Sequence, residues 1–146
     1  TSIFMNPKII NSISGSDSFY SDEKIVDFLF IHLGKYGDKK EDIQKCINYV
    51  HDKGGFILLE IQQEEIVGAV IINETGMEGY IPENILVYIA VHENQRGKGL
   101  GKELMKNAIK LSKGNIALHV EKDNPAVFLY EKLGFENKYL EMRLNR

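Results

Sequence analysis

The chain has 146 residues, 43% hydrophobic and 27% charged, the balance of a globular domain; its length suits one domain of ~100–200 residues. Its net charge of −3 argues against a dedicated nucleic-acid binder, whose footprint is a basic face, and no apolar run reaches the ~18 residues of a membrane helix. The single cysteine, Cys46, excludes an intrachain disulfide and the N-terminus carries no signal-peptide pattern, so a reducing, cytoplasmic setting is expected.

No repeat and no Pro/Gly/Ser linker divides the sequence, so residues 1–146 are expected to form one domain. Stretch 3–10 is mildly apolar, and 11–18, rich in Ser and Gly, reads as loop. Ser21 is placed to cap a helix with Ile25, Val26, Phe28 and Leu29 on one side, broken by Gly34 and Gly37. A second helix carries Ile43, Cys46, Ile47 and Val50 on one stripe and ends before Gly54-Gly55. The period then changes. Runs 56–61 and 66–72, rich in β-branched residues and separated by a polar turn, predict two adjacent antiparallel strands. Residues 73–84 read as loop, and the continuous apolar run 85–91 predicts a central strand covered on both faces. A helix follows through Leu100, Leu104, Met105, Ala108, Ile109 and Leu111, closed by Lys113-Gly114. Residues 116–120 predict a strand, Asn124-Pro125 starts a helix that stops at Gly134, and 139–144 predict a last strand. The class is therefore α/β (α+β) with one mixed sheet.

The chemistry gathers around residues 89–102, where a buried strand runs into a loop holding Gly97, Gly99 and Gly101 and then opens a helix. The first N–H groups of a helix lack intrahelical partners and sit at its positive end, and glycines let an anion approach them. Arg96, Lys98 and Lys102 add positive charge there. A nucleotide P-loop is excluded: three residues, not four, separate Gly97 from Gly101-Lys102, and Glu103 stands where Ser or Thr is needed. A dinucleotide fingerprint lacks its third glycine at Lys102, although Glu121 lies about twenty residues on, where a ribose-binding acid belongs.

Arg96-Gly97-Lys98-Gly99-Leu100-Gly101 resembles the Arg/Gln-x-x-Gly-x-Gly/Ala pyrophosphate loop of the GNAT acetyltransferase superfamily. The segment from Asn124 through Leu129-Tyr130-Glu131 to Gly134-Phe135 resembles that family's Asn…Leu-Tyr-Glu-x-x-Gly-Phe segment. The resemblance implies a mostly antiparallel mixed sheet splayed at the central strand and flanked by helices, with the pantetheine arm of acetyl-CoA in the gap. On that basis the backbone of Ile89, Ala90 and Val91 would bond the pantetheine amides. Arg96, Gly97, Lys98, Gly99, Leu100, Gly101 and Lys102 would wrap the pyrophosphate. Asn124 would touch the arm or act only as a helix cap.

Tyr130 is then the expected acid for the thiolate leaving group, a role its ordinary pKa of about 10 allows. The general base is less defined. Residues 85–88 hold no glutamate; counting back from Asn124 places His119 on the next strand, with Glu83 and Glu121 as weaker candidates. Tyr88 and Tyr80 are candidates for orienting a water or the acceptor. Cys46 reads as core, and the histidines show no metal-ligand spacing, so no metal is expected.

The implied activity is direct transfer of an acetyl group from acetyl-CoA to a primary amine of a small molecule or peptide. No nucleic acid or membrane partner is expected, and the protein would be a monomer or homodimer. The competing readings are a non-catalytic CoA- or acyl-CoA-binding regulatory module and a dinucleotide-dependent oxidoreductase.

Overall fold

The computed structural model describes residues 7–146. Within them the chain runs β1 (Lys8–Ile10), α1 (Asp22–Leu33), α2 (Lys40–Asp52), β2 (Gly55–Gln62), β3 (Glu65–Glu74), β4 (Asn84–Val91), α3 (Leu100–Leu111), β5 (Ile116–Leu118) and α4 (Ala126–Lys132). Ser21 caps α1 as the sequence indicates, its Oγ accepting from the Lys24 N–H at 3.3 Å, and Asp22 and Glu23 lie against the positive end. The apolar stripes turn inward as their spacing requires: α1 buries Ile25, Val26, Phe28 and Leu29, and α2 buries Ile43, Cys46, Ile47 and Val50. Both pack on one face of the sheet, and Leu100, Leu104, Met105 and Ala108 of α3 with Tyr130 of α4 cover the other. The result is three layers with two apolar clusters separated by the sheet.

The sheet has the order β1-β2-β3-β4-β5. Its first four strands are antiparallel, and β4 and β5 are parallel. A two-residue turn with both Gln63 and Glu64 at positive φ joins β2 to β3, the hand that matches strand twist in a tight hairpin. The β3–β4 register passes from Ile71↔Tyr88 to Ile72↔Leu86 and skips Val87. This bulge changes the facing of the strand: Leu86 packs in the α3/α4 cluster and Tyr88 in the α1/α2 cluster, although two residues apart they would otherwise share a face. The apolar run 85–91 thus does serve both layers, through a bulge rather than through uniform burial.

Three expectations are corrected. A short β1 pairs with β2 through Lys8↔Leu59 to Ile10↔Ile57, where the sequence reading named only a mildly apolar stretch; residues 3–6 of that stretch lie outside the described residues. The strand read at 116–120 stops at Leu118. Residues 139–144 form no strand. Alternation of side chains is local, but a strand exists only against a neighbour's hydrogen-bonding edge, and from Tyr139 onward the main chain bonds to no part of the described structure.

Gly55, where β2 begins, sits at φ 119°, and a Cβ there would lie 2.0 Å from the Ile72 carbonyl oxygen. Gly55→Ala is therefore expected to cost at least the ~1–3 kcal/mol of a strained backbone position, read as a lower urea midpoint with an unchanged slope.

Candidate active site

β4 is bonded unequally on its two edges. Toward β3 the pairing runs from Asn84 to Val91; toward β5 it covers only Asn84↔Ile116, Ile85↔Ala117 and Leu86↔Leu118. Beyond Leu86 the two parallel strands part, and the main chain of β4 lines a wedge. The His92 N–H donates to the Val67 carbonyl at 2.8 Å, so it points toward β3. Strand alternation then turns the Ala90 main chain the same way and leaves those of Ile89 and Val91 facing the wedge. Of the three residues matched to the pantetheine contact, Ile89 has both main-chain groups available and Val91 its N–H, since the Val91 carbonyl accepts from Arg96 Nε at 3.3 Å, and Ala90 lies between them.

The chain leaves β4 through a short 3₁₀ turn, Glu93–Gln95, held by the Asn94 N–H donating to His92 Nδ1 at 3.1 Å. Gly97 and Gly99 follow at φ 80° and 82°, left-handed conformations that favour glycine, and α3 starts at Leu100. The Glu103 N–H reaches the Gly99 carbonyl at 3.2 Å; helix geometry leaves the N–H groups ahead of it without intrahelical acceptors. A Cβ on Gly97 would meet nothing within 4 Å, so its requirement is conformational rather than steric. Lys98 and Lys102 are exposed beside this helix end. Arg96 is engaged differently: its Nε donates to the Val91 carbonyl at 3.3 Å and its Nη2 to the His32 carbonyl at 2.8 Å, tying the loop to the last turn of α1. The His32 and His92 rings lie 4.3 Å apart, tilted by 39°, at the same junction.

Tyr130 lies on α4, buried, with its ring 6.0 Å from that of Phe135. Its hydroxyl has no hydrogen-bond partner among the described residues, and burial pushes its pKa up, so it remains protonated. The Asn124 Oδ1 accepts from the Ala126 N–H at 3.0 Å, so its carbonyl end caps α4 and only its amide nitrogen is left to meet a ligand. His119 is exposed just past the end of β5. Glu83 is occupied: its Oε1 accepts from the Asn115 N–H at 2.7 Å, which holds its carboxyl below the usual range. Glu121 and Tyr80 are exposed. Cys46 is buried, its Sγ 3.5 Å from Asn73 Oδ1, and burial pushes its thiol up to about 12, an inert core residue. Among the described residues no three His, Cys, Asp or Glu side chains gather as metal ligands.

The connection between α1 and α2 contributes residues that sequence reasoning missed. Tyr88, just past the bulge, donates from its hydroxyl to Asp38 Oδ2 at 2.5 Å, and burial, then this bond, push its pKa up. Tyr36 donates to the Asp123 carbonyl at 3.1 Å, and Lys35 pairs with the Asp123 carboxylate at 3.4 Å. The turn Gly34–Tyr36 is thereby fastened to the segment that leads into α4. Asp38 is an exposed acid in a glycine-broken connection; no local signal distinguishes it, because its partner is fifty residues away.

An open strand edge, a glycine-turned helix start and a buried tyrosine on the next helix agree with sequence comparison. Residues 20–135 match the Acetyltransferase (GNAT) family. The chain belongs to that family. No curated protein shows significant sequence similarity to it. Among solved structures, a transcriptional regulator from Bacillus halodurans C-125 superposes with a TM-score of 0.70 at 22% identity, over 97% of this chain and 100% of its own. A probable acetyltransferase gives 0.72 at 17% identity, over 97% and 98% of the two chains. An aminoglycoside antibiotic 6'-N-acetyltransferase from Acinetobacter haemolyticus gives 0.66 at 19% identity, over 97% and 98%. At these identities the likeness is one of fold.

The histidine junction makes a pH prediction. Burial first, then the charges of His92 and Arg96, hold His32 below its ordinary value, so the folded state favours neutral imidazole. That stability is present above the unfolded-state value of ~6.5 and lost as pH falls through the depressed folded one. His32→Gln is expected to flatten the acid limb: its urea midpoint should drop less than the wild type's between about pH 7 and pH 5.

Proposed function

We propose that this GNAT-family acetyltransferase moves an acetyl group from acetyl-CoA directly to a primary amine of a small-molecule or peptide acceptor. The observation that carries the reading is the wedge itself. The β4 edge beyond Leu86 offers the main-chain groups of Ile89 and the N–H of Val91 to an extended amide-bearing arm. Gly97, Gly99 and the start of α3, with Lys98 and Lys102, suit the diphosphate at the end of such an arm. The donor would supply an activated thioester. The chain's own part is to hold that thioester against the amine, which lowers the entropic cost of their meeting.

Tyr130 would donate its phenolic proton to the departing sulfur. Its raised pKa keeps that proton in place at neutral pH. His119 or a water would take the proton of the attacking amine. Tyr88 and Asp38, joined at the bulge, stand where the α1–α2 connection meets β4 and would orient the acceptor side. A cytoplasmic site of action accompanies this reading, since the one thiol is buried and in no disulfide.

A second reading, a non-catalytic CoA-binding regulatory module, is favoured by the absence of any carboxylate on β4, whose charged and polar content is limited to Asn84 and Tyr88. Titration with acetyl-CoA, CoA and NADH separates the classes: CoA species are expected to bind and NADH is not. Gly99→Val, forced into a left-handed backbone position, should weaken CoA binding by about tenfold or more. An amine panel read by thiol release then tests turnover; tight CoA binding without turnover on any amine would favour the regulatory module. Tyr130→Phe is expected to lower kcat by about 10²-fold or more while leaving CoA affinity nearly unchanged. The wild-type rate should show no alkaline fall below about pH 10, because the acid is still protonated there.

A further inference from the structure

The two tyrosines beside the wedge lie on opposite faces of the sheet: Tyr130 packs in the α3/α4 cluster and Tyr88 in the α1/α2 cluster. An arm with its diphosphate at Gly97 and Gly99 and its amides along Val91 and Ile89 would bring its acyl end to Tyr88 and Val87, where β4 and β5 part. With Tyr130 as the acid for the sulfur on one face, the other face is left for the amine.

On that second face the connection between α1 and α2 reaches both sides of the wedge. Asp38 fastens it to β4 through the Tyr88 hydroxyl at 2.5 Å, and Tyr36 and Lys35 fasten it to Asp123, beyond β5. Asp38 is exposed, and its second oxygen, Oδ1, makes no hydrogen bond among the described residues. The nearby cations are committed elsewhere. Lys35 pairs with Asp123 at 3.4 Å, Lys40 pairs with Asp27 at 2.9 Å, and Arg96 donates to the Val91 and His32 carbonyls. Lys39, the next residue, is exposed and forms no ion pair among the described residues. Burial and the bond to Asp38 keep the shared proton on the Tyr88 phenol. The carboxylate is thus aimed by a neutral partner and its charge is met by no cation, an arrangement an ammonium group would complete with a charge-assisted hydrogen bond.

We propose that Asp38 is a specificity residue of the acceptor site: its Oδ1 receives the acceptor's amine as an ammonium ion and selects alkylamines over uncharged amines. The inference rests on the acetyl-transfer reading and names the class of acceptor for it. An alkylamine arrives protonated at neutral pH, and Asp38 accepts one of its N–H groups while Tyr88 fixes the carboxylate. The ammonium then gives one proton to water or His119, and the nitrogen bonds the acyl carbon as the carbon–sulfur bond breaks. The sulfur leaves with the Tyr130 proton, and the second proton lost by the nitrogen restores Tyr130 through solvent.

Thiol release from acetyl-CoA tests this on the full chain with two acceptors of similar size: a primary alkylamine, charged at neutral pH, and an O-alkylhydroxylamine, which is not. In the wild type, added salt is expected to raise KM for the alkylamine and to spare the oxyamine. Asp38→Asn keeps an oxygen for the Tyr88 hydroxyl and removes the charge. It should lower the ratio of kcat/KM for alkylamine over oxyamine by about tenfold or more, through KM, with CoA affinity retained. Asp38→Glu should restore part of the preference. An unchanged ratio, or an equal loss on both acceptors, overturns the inference and leaves acetyl transfer standing, with Asp38 serving only to hold Tyr88. A wild type that binds CoA but turns over neither amine, nor any in a broader panel, overturns the acetyl-transfer reading and this inference with it.

Discussion

The arrangement of the molecule turns on the unequal bonding of β4. One edge is satisfied by β3 over the whole strand, the other by β5 for three residues only. A sheet interior normally satisfies both edges of every strand, because an unbonded peptide group away from water is costly. Here the bulge at Val87 falls where the second set of bonds stops, and β5 ends at Leu118. The consequence is that on this edge of β4 the main-chain groups of Ile89 and the N–H of Val91 are left without a strand partner, while β3 bonds the other side.

Around that gap the fold places its chemistry by packing rather than by proximity in sequence. α3 is fixed by Leu100, Leu104, Met105 and Ala108 against the sheet, so its positive end is held beside the end of β4. α4 is fixed by Tyr130 in the same cluster, which is why that phenol is desolvated and keeps its proton. On the opposite face Arg96 binds the glycine loop to α1, and Tyr36 and Lys35 bind the α1–α2 connection to Asp123. The glycine loop, the α1–α2 connection and the segment leading into α4 are thereby tied together, and Asp38 of that connection bonds Tyr88 of β4.

Much of this is visible in the residues alone. Ser21 with Ile25, Val26, Phe28 and Leu29, and Ile43 with Cys46, Ile47 and Val50, predict two helices that form with those faces buried, because a 3.6-residue period is a property of the local chain. Gly97 and Gly99 are legible for the same reason: a left-handed backbone position selects glycine whatever surrounds it. The motif spacing from Arg96 to Phe135 carries the family. The edge β1 was not legible, since three residues with one buried side chain have no period to read.

The sequence by itself determined which segments are helix or strand-like, where the backbone must turn left-handed, and where a glycine-rich helix start follows a buried strand. Each rests on interactions within a few residues. Tertiary structure decided the rest: that Val87 is a bulge, that β4 and β5 part after Leu86, that Arg96 faces α1, that Asp38 meets Tyr88, and that residues 139–144 stand without a partner. Those outcomes depend on hydrogen-bonding edges and packing partners supplied from far along the chain, and no local pattern of side chains specifies them.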